Sequence, residues 1–395
     1  MEEPTKNETL FTKNFILTSL STFTLFTSFY FLLITLPFYI QKLGGSESEI
    51  GLIIGVYTLS AVFLRPFLGR GVDMIGRKTF LLAGSLIFFI SMLLYNYTTD
   101  VTSLLLLRVL HGLGWGAATT ASTTLIADIA PPTRRGEAMG VFGMAANVAM
   151  AIGPVLSMML LNAYDFPTLF AVSSAIAFVS VLLVLPISEI KVKRQNTPLF
   201  SKEALFPSVL MFAVTLTYGS IVSFLPLFAK MQGILNPGIF FSVFAVTIIL
   251  IRAPGGKLSD IKGRKSVIVP GMILVALGLF VLSRAEALQS FLAAAVLYGI
   301  GFGLFHPAMM ALLVDRINPQ GRGAAMGTFT ASFDLGIGMG SIAMGLILQY
   351  AGISQALIGL FGRIAGFTTI YLLGGLIVLV ALVLFITGYK NKGET

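Results

Sequence analysis

The sequence contains no cysteine and only two histidines, His111 and His306. Without cysteine the chain cannot form disulfides or thiolate metal sites, and two histidines are too few for an imidazole cluster. We therefore expect no bound metal and no cofactor. Charged residues are also scarce: they make up 11% of the chain, against about 25% in soluble domains. This composition excludes an ordinary water-soluble domain and indicates a membrane protein.

Sequence motifs of catalysis are missing as well. The chain has no Walker loop, no zinc motif and no pair of carboxylates at catalytic spacing. It has no run of Lys and Arg interleaved with aromatic residues, so its net charge of +9 does not indicate nucleic-acid binding. We therefore expect neither an enzyme nor a nucleic-acid-binding protein.

Apolar residues are in excess: they make up 56% of the chain, against roughly 45 to 50% in soluble domains. A transmembrane helix needs about 20 mainly apolar residues to cross a hydrocarbon core about 30 Å thick. The 395 residues fit twelve such helices with short connections and no large soluble domain. The first predicted helix is a full-length span with no small-residue cleavage pattern, so we expect it to be retained.

The basic residues are distributed unevenly between the two ends of these helices. If the amino terminus is placed in the cytoplasm, nearly all of the 26 Lys and Arg residues fall in cytoplasmic segments or at inner helix ends. The exceptions are Lys42, Lys230, Arg284 and Arg363 outside, and Arg108 within the membrane. Such an excess is typical of cytoplasmic loops. We therefore expect a multi-pass protein of the inner (plasma) membrane with both termini in the cytoplasm.

One charged motif occurs twice in the chain. Residues 69–78 read GRGVDMIGRK and residues 256–265 read GKLSDIKGRK, so that Asp73 and Asp260 stand 187 positions apart. Arg65 and Arg252 in the flanking sequence keep the same spacing. The chain is therefore an internal duplication. We predict that helix 2 ends near Leu68 and helix 8 near Pro254, which would make each motif an inner loop.

Between the two copies the hydropathy falls in a polar, basic stretch that begins at Ser188, SEIKVKRQNTPLFSK. This stretch predicts three parts: an N-terminal six-helix bundle at residues 1–187, a cytoplasmic linker at 188–203, and a C-terminal six-helix bundle at 204–395.

The paired G-x-x-x-D-x-x-G-R-K motifs resemble those between helices 2 and 3, and 8 and 9, of the major facilitator superfamily. Length and hydropathy are similar over essentially the whole chain, which most resembles bacterial drug and sugar-efflux members. The resemblance implies an all-α membrane protein with twelve transmembrane helices in two six-helix pseudo-symmetric bundles. It also implies secondary transport by alternating access, at a site between the bundles near the bilayer midplane.

In that family the paired motifs act as a conformational latch. The matching residues here are Gly69, Asp73, Gly76, Arg77, Lys78, Gly256, Asp260, Gly263, Arg264 and Lys265, with Asp128 as a carboxylate that the basic side chains can reach. A carboxylate in the motif can also lie against the positive end of a neighbouring helix. The alternative interpretation is that the basic residues only keep these segments in the cytoplasm.

Helix 4 is predicted to carry ionisable groups inside the membrane. Arg108, His111 and Trp115 share one helical face. A buried arginine before a Gly-rich stretch, here RVLHGLGWGAA, is tied in the family to proton coupling. Alternatively, Arg108 caps backbone carbonyls and extends towards the interface, and His111 is a packing residue.

Asp334 is predicted about eleven residues into helix 11, near the midplane at about 1.5 Å per residue. Its counterpart in the first repeat is Asn147. An intramembrane carboxylate is a functional hypothesis by default, so we predict Asp334 as the proton carrier, with Arg108 influencing it if the two approach. The alternatives are a histidine or Glu137 as carrier, or a structural role for Asp334.

Two prolines mark further candidates. His306 precedes Pro307 in helix 10, where it could line a cavity or be a satisfied core histidine beside a kink. Gly153 and Pro154 resemble the Gly-Pro element of antiporters in helix 5, although the usual following glycine pair is absent.

These features together predict a secondary transporter, working as a monomer in the lipid bilayer, that exports a small amphipathic or weakly polar compound by proton antiport. Proton-coupled uptake of a small solute is one alternative. A non-transporting receptor or scaffold on the same fold is the other.

Overall fold

The chain is helical throughout its described secondary structure in the computed structural model. The structure describes residues 9–131, 134–189, 201–317, 322–358 and 364–389, without the side chains of residues 64, 66–75, 135–136, 322–324, 351–358 and 364–365. Most of the predicted linker 188–203 lies outside the described residues, so the predicted domain boundaries stay a proposal.

Twelve long helices occur in the described part of the chain. They are α1 (Lys13–Lys42), α2 (Glu47–Ile75), α3 (Arg77–Leu94), α4 (Val101–Ile129), α5 (Arg135–Ala163), α6 (Phe166–Val184), α7 (Leu205–Met231), α8 (Gly238–Lys262), α9 (Lys265–Ser283), α10 (Leu288–Arg316), α11 (Arg322–Ile358) and α12 (Ile364–Gly388). Among the described residues, eleven of these helices are long and apolar enough to cross a membrane, α2 being the exception. A helix satisfies its own backbone groups, as the hydrocarbon core requires.

The helices form two six-helix bundles, α1–α6 and α7–α12, as predicted. In the first bundle α1 packs on α5 and α6, and α4 packs on α2 and α3. In the second bundle α7 packs on α11 and α12, and α10 packs on α8 and α9. Each contact in one bundle thus has its counterpart six helices later, which is the internal duplication expressed in three dimensions.

Two predicted helix ends are wrong. Helix α2 continues beyond Leu68 to Ile75, and α8 continues through Pro254 to Lys262, so most of each charged motif is helical. The turns come only at Gly76 (φ 132°) and Gly263 (φ 86°), where a positive φ favours glycine. Hydropathy places a boundary where charge begins, whereas a helix continues until its backbone is interrupted.

Helix ends provide names for the two sides of the molecule. We call the side where α2 meets α3 and α8 meets α9 the basic side, because Arg77, Lys78, Arg264 and Lys265 lie there. The other is the opposite side. There, the Asp100 carboxylate caps α4 by accepting a hydrogen bond of 2.9 Å from the backbone N–H of Ser103.

Glycines bring α2 and α11 close together on the opposite side. A Cβ added to Gly338 would lie 3.1 Å from the carbonyl oxygen of Gly55. One added to Gly345 would lie 2.8 Å from the carbonyl oxygen of Glu47. Small residues at such crossings let two membrane helices approach backbone to backbone. This seam joins the two bundles.

A second seam, between α5 and α8, closes the same side. The Asn236 amide donates to the carbonyl of Val155 at 3.3 Å, and the Asn162 amide donates to the carbonyl of Leu235 at 3.2 Å. These bonds join the last third of α5 to the segment that leads directly into α8. The opposite side is therefore closed by two pseudo-symmetric contacts.

Towards the basic side the bundles separate. A Cβ added to Gly140, Gly143, Gly256 or Gly327 would meet no atom within 4 Å. In the described residues, α4 and α5 make no packing with α10 and α11 comparable to the two seams. The structure is therefore closed on the opposite side and open on the basic side.

Candidate functional site

An ion pair joins α2 and α11, and therefore the two bundles, on the basic side of their glycine contacts. Nη2 of Arg65 lies 2.6 Å from Oδ2 of Asp334, and the side chains are 23% and 14% exposed. At about 1.5 Å per residue, Arg65 stands about 15 Å from the end of α2, and Asp334 about 18 Å from the start of α11. Asp334 is thus deep within its helix, as predicted, and its partner is Arg65 rather than Arg108.

Arg108 is almost completely buried inside the first bundle, with 2% exposure. Its Nε donates to the carbonyl of Ile53 at 3.2 Å, and its Nη1 donates to the Tyr95 hydroxyl at 3.3 Å. The guanidinium carbon also lies 4.0 Å from the ring centre of Tyr57, a cation–π contact. A carbonyl, a phenol and an aromatic face therefore stabilise this charge.

His111 continues the same network. Its Nδ1 lies 3.0 Å from the Tyr95 hydroxyl. Because the Tyr95 hydroxyl accepts a hydrogen bond from Arg108, we infer that it donates its own hydrogen to Nδ1 of His111. Nδ1 is then the acceptor, and the imidazole carries its proton on Nε2. This Nε2 is buried and has no hydrogen-bond partner in the described part of the chain. Arg108 and His111 thus share one face of α4, as predicted, and this face points into the bundle.

Tyr57 of α2 connects this network to the ion pair. Its ring contacts Arg108, and its hydroxyl interacts electrostatically with both Arg108 and Asp334. The Tyr57 hydroxyl is buried without a hydrogen-bond partner among the described residues. Tyr57 thus interacts with both Arg108 and Asp334, which form no direct ion pair with each other among the described residues.

His306 lies in an aromatic row on α10. Its ring is parallel to that of Phe302 within 6°, with the centres 5.6 Å apart, and Phe302 in turn stacks on Tyr298 at 6.3 Å. Residues four apart share a helical face. His306 forms no hydrogen bond within the described residues and is half-buried. Pro307 follows it inside the helix.

Arg252 of α8 is a membrane-embedded cation that the sequence count assigned to an inner helix end. The structure places it ten residues before Lys262, about 15 Å along the helix. It is exposed, and it interacts electrostatically with His306. Such a charge costs about 2.5 to 3.5 kcal/mol at a helix centre on insertion scales.

Glu137 lies outside this region. Its carboxylate in the first turn of α5 pairs at 2.8 Å with Arg134, the residue that precedes the helix, and both side chains are exposed at the basic side. It is distant along α5 from the midplane, so the structure does not bring it together with Asp334.

The predicted basic-side residues form two equivalent ion pairs. Nε of Arg77 lies 2.8 Å from Oδ2 of Asp128 in the first bundle, as predicted. In the second bundle Nε of Arg264 lies 2.9 Å from Oδ2 of Asp315, and Arg264 also pairs with Asp260. Asp315 stands 187 positions after Asp128, so the repeat spacing contained this partner although it was missed.

Glu189 is another basic-side residue that sequence reasoning missed. Its carboxylate accepts from the backbone N–H groups of Arg77 at 2.8 Å and Lys78 at 3.2 Å, at the start of α3. It therefore stabilises the positive end of that helix. A Cβ at Gly76 would lie 2.7 Å from this carboxylate, whereas Gly263 has no such neighbour.

Of the remaining residues predicted for the latch, the structure describes some and leaves others outside the described residues. Lys265 Nζ lies 5.8 Å from the ring centre of Tyr389. The side chain of Asp73 and the surroundings of Gly69 lie outside the described residues. That any of these residues act as a conformational latch is a proposal.

Gly153 and Pro154 lie where α5 crosses two other helices. A Cβ on Gly153 would lie 2.8 Å from the Cβ of Tyr30 in α1. The carbonyl of Pro154 packs directly against Gly238 at the start of α8. The Gly-Pro element is thus part of the seam that closes the opposite side.

Comparison with known proteins gives a consistent family. A family model described as Major Facilitator Superfamily matches residues 18–236 and again residues 210–394. An uncharacterized MFS-type transporter of Methanocaldococcus jannaschii is 28% identical over 361 residues, covering 87% of this chain and 93% of the relative. The staphylopine export protein of Staphylococcus aureus is 23% identical, covering 87% and 88%. A crystal structure of a single-residue mutant of the nucleoside transporter NupG superposes with a TM-score of 0.78 at 15% identity, over 95% of this chain and 100% of that one.

Proposed function

Because this chain belongs to the Major Facilitator Superfamily, it is a multi-pass membrane transporter, and we propose that it exports a small amphipathic compound by proton antiport. In this proposal the basic side faces the cytoplasm, in agreement with the positive-inside rule. The seams and the open basic side then correspond to an inward-open state of an alternating-access cycle.

The Arg65–Asp334 ion pair is the observation that carries the coupling proposal. It is a titratable contact between the bundles, on the basic side of the glycine contacts between α2 and α11. Ionised Asp334 holds α11 to α2 through Arg65 and so favours the inward-open state. A proton on Asp334 removes that attraction and leaves the seam weaker. Proton release to the cytoplasm and closure of the opposite side are thereby linked.

Two observations favour export over uptake. The Gly-Pro element of α5, which lies in the seam on the opposite side, resembles the element that antiporters of this superfamily carry there. A relative covering most of the chain is named as an export protein. We keep proton-coupled uptake as the second candidate, since the same ion pair would serve it.

A test of coupling needs no known substrate, because the cysteine-free chain accepts spin labels directly. We choose Asn162→Cys and Leu235→Cys, since these neighbours report on the opposite side. In nanodiscs, lowering the pH from about 8 to about 5.5 should lengthen the label distance by weakening the carboxylate's pairing. Asp334→Asn should remove this response, whereas Glu137→Gln should keep it. A response that persists in Asp334→Asn would exclude Asp334 as the carrier.

Direction is tested in cells. Untargeted metabolite analysis should find a compound that accumulates inside cells lacking the protein and declines when it is overproduced. Faster accumulation on overproduction would establish uptake instead.

A further inference from the structure

The internal repeat leaves one arginine without its partner. Arg252 in α8 corresponds to Arg65 in α2, and Asn147 in α5 corresponds to Asp334 in α11. Arg65 is neutralised by Asp334, whereas an amide at position 147 brings no negative charge. Arg252 forms no ion pair or hydrogen bond with any residue that the structure describes. One bundle thus supplies its own carboxylate and the other does not.

Arg252 points to the interior of the protein and not to lipid. At 100° per residue it shares a face of α8 with Phe241, Ala245 and Ser259, which are all buried. The opposite face carries Leu250 and Ile261, each 70% exposed. The exposure of Arg252 is therefore to the space between the bundles, which is open on the basic side.

Helix α10 provides the apolar surroundings of this charge. Glycines at 299 and 303 bring α10 against Thr247 and Ile251 of α8, which precede Arg252 by five residues and by one. The next turn of α10 carries His306, which interacts electrostatically with Arg252. The Phe302 and His306 rings are stacked and half-buried, and Phe333 of α11 lies 5.6 Å from the His306 ring.

We propose that Arg252 binds the negatively charged group of the substrate, a single carboxylate, while the apolar part of the substrate lies on Phe302, His306 and Phe333. This inference rests on the proposed transport function and narrows its substrate to amphipathic monocarboxylates. A guanidinium binds a carboxylate through two parallel N–H donors. His306, with free ring nitrogens in the described structure, is a further donor beside it.

The other arginines of the membrane region explain why we expect only one negative charge on the substrate. Arg108 is sealed beneath Tyr57 at 2% exposure. Arg65 is occupied by Asp334. A multivalent anion would need a second free cation, and the described interior supplies none besides Arg252.

The test measures binding at equilibrium, using Trp115, the only tryptophan of the chain, as an energy donor to a dansyl probe. Dansylglycine carries the carboxylate, and dansylglycinamide is its neutral counterpart. In detergent, the wild-type protein should bind dansylglycine at least about tenfold more tightly than the amide. Arg252→Gln should abolish this preference without weakening the amide, and Arg252→Lys should retain part of it. Trp115→Phe provides the blank for probe dissolved in the micelle.

Arg284→Gln is the matched control. It removes the same charge as Arg252→Gln, but at an exposed position on the opposite side. It should bind both probes as the wild type does. Thermal unfolding of Arg252→Gln verifies that it is folded. Equal binding of the two probes by the wild type, no saturable binding of dansylglycine, or an unchanged preference in Arg252→Gln would each overturn the proposal. Because no gradient is involved, a failure of Asp334 to couple protons would leave this result unaltered.

Discussion

Three arginines whose side chains the structure describes lie well inside the membrane helices, and each charge meets a different environment. Arg65 is paired with a carboxylate, Arg108 is surrounded by a carbonyl, a phenol and an aromatic ring, and Arg252 faces the open interior. A guanidinium stays charged in all three. These different partners support the coupling role that we propose for Arg65 and the binding role that we propose for Arg252, and they favour a packing role for Arg108.

Removal of Arg65 should expose the cost of an unpaired Asp334. We expect Arg65→Gln to lower the free energy of unfolding by about 2 kcal/mol, less than for a fully buried pair because both side chains are partly exposed. The double variant Arg65→Gln/Asp334→Asn should recover at least half of this loss. Thermal unfolding in detergent measures all four corners of the cycle. Additive effects of the two substitutions would contradict an energetic link between the bundles.

Asp100 gives a pH dependence outside the membrane. The Asp100 carboxylate accepts a hydrogen bond from the backbone N–H of Ser103, and this bond lowers the pKa of the carboxyl below its ordinary value. A lowered pKa in the folded state means that the ionised cap stabilises at higher pH and that this contribution is lost as the pH falls through that pKa. We expect Asp100→Ala to lower the Tm by a constant amount above about pH 5 and by less below about pH 4. Asp100→Asn is the control, because its cap does not titrate. If the Tm difference between the wild type and Asp100→Ala grew on acidification, the assignment would be contradicted.

At the scale of elements, the two bundles repeat one ion pair in unequal surroundings. Arg77 is 7% exposed beside Asp128, whereas Arg264 is 21% exposed and has both Asp315 and Asp260. We expect Asp128→Asn to cost about 2 kcal/mol of unfolding free energy, because it removes a carboxylate from a buried guanidinium. Asp315→Asn should cost about 0.5 kcal/mol, as for exposed pairs. Thermal unfolding of both variants measures the difference, and equal losses would show that burial does not set the strength of these pairs.

At the scale of the whole molecule, the glycine seam of α2 and α11 is one of the two contacts that close the opposite side. An added Cβ at Gly51 would collide with the carbonyl oxygen of Ser341 and lie 3.3 Å from the Cα of Gly345. Gly51→Ala should therefore favour opening of the opposite side, seen as a longer distance between spin labels at Asn162→Cys and Leu235→Cys. About 1.4 kcal/mol would change the population ratio tenfold.

Gly140→Ala is the control for this conformational shift. Its added Cβ meets no atom within 4 Å, and alanine favours a helix over glycine by about 1 kcal/mol. The label distances should match those of the parent protein. If Gly51→Ala and Gly140→Ala give the same distances, the seam does not control access.

The sequence by itself determined the properties that depend on local pattern. Hydropathy predicted twelve helices, because each span must be apolar over its own length, and the spacing of 187 revealed the duplication. The same spacing paired Asp128 with Asp315, although this match was overlooked. Asp334 was recognised because a carboxylate in an apolar run is visible without knowledge of its neighbours.

Only the tertiary structure decided which charges meet. The partner of Asp334 depends on how α2 and α11 rotate and cross, and the hydropathy reading had ended helix 2 too early to treat Arg65 as an interior residue. Likewise, Arg252 and Asn147 are ordinary residues in the sequence, and the open position of Arg252 follows from the packing of α8 against α10. Helix rotation and register arise from contacts between segments far apart in the chain, so no local pattern contains them.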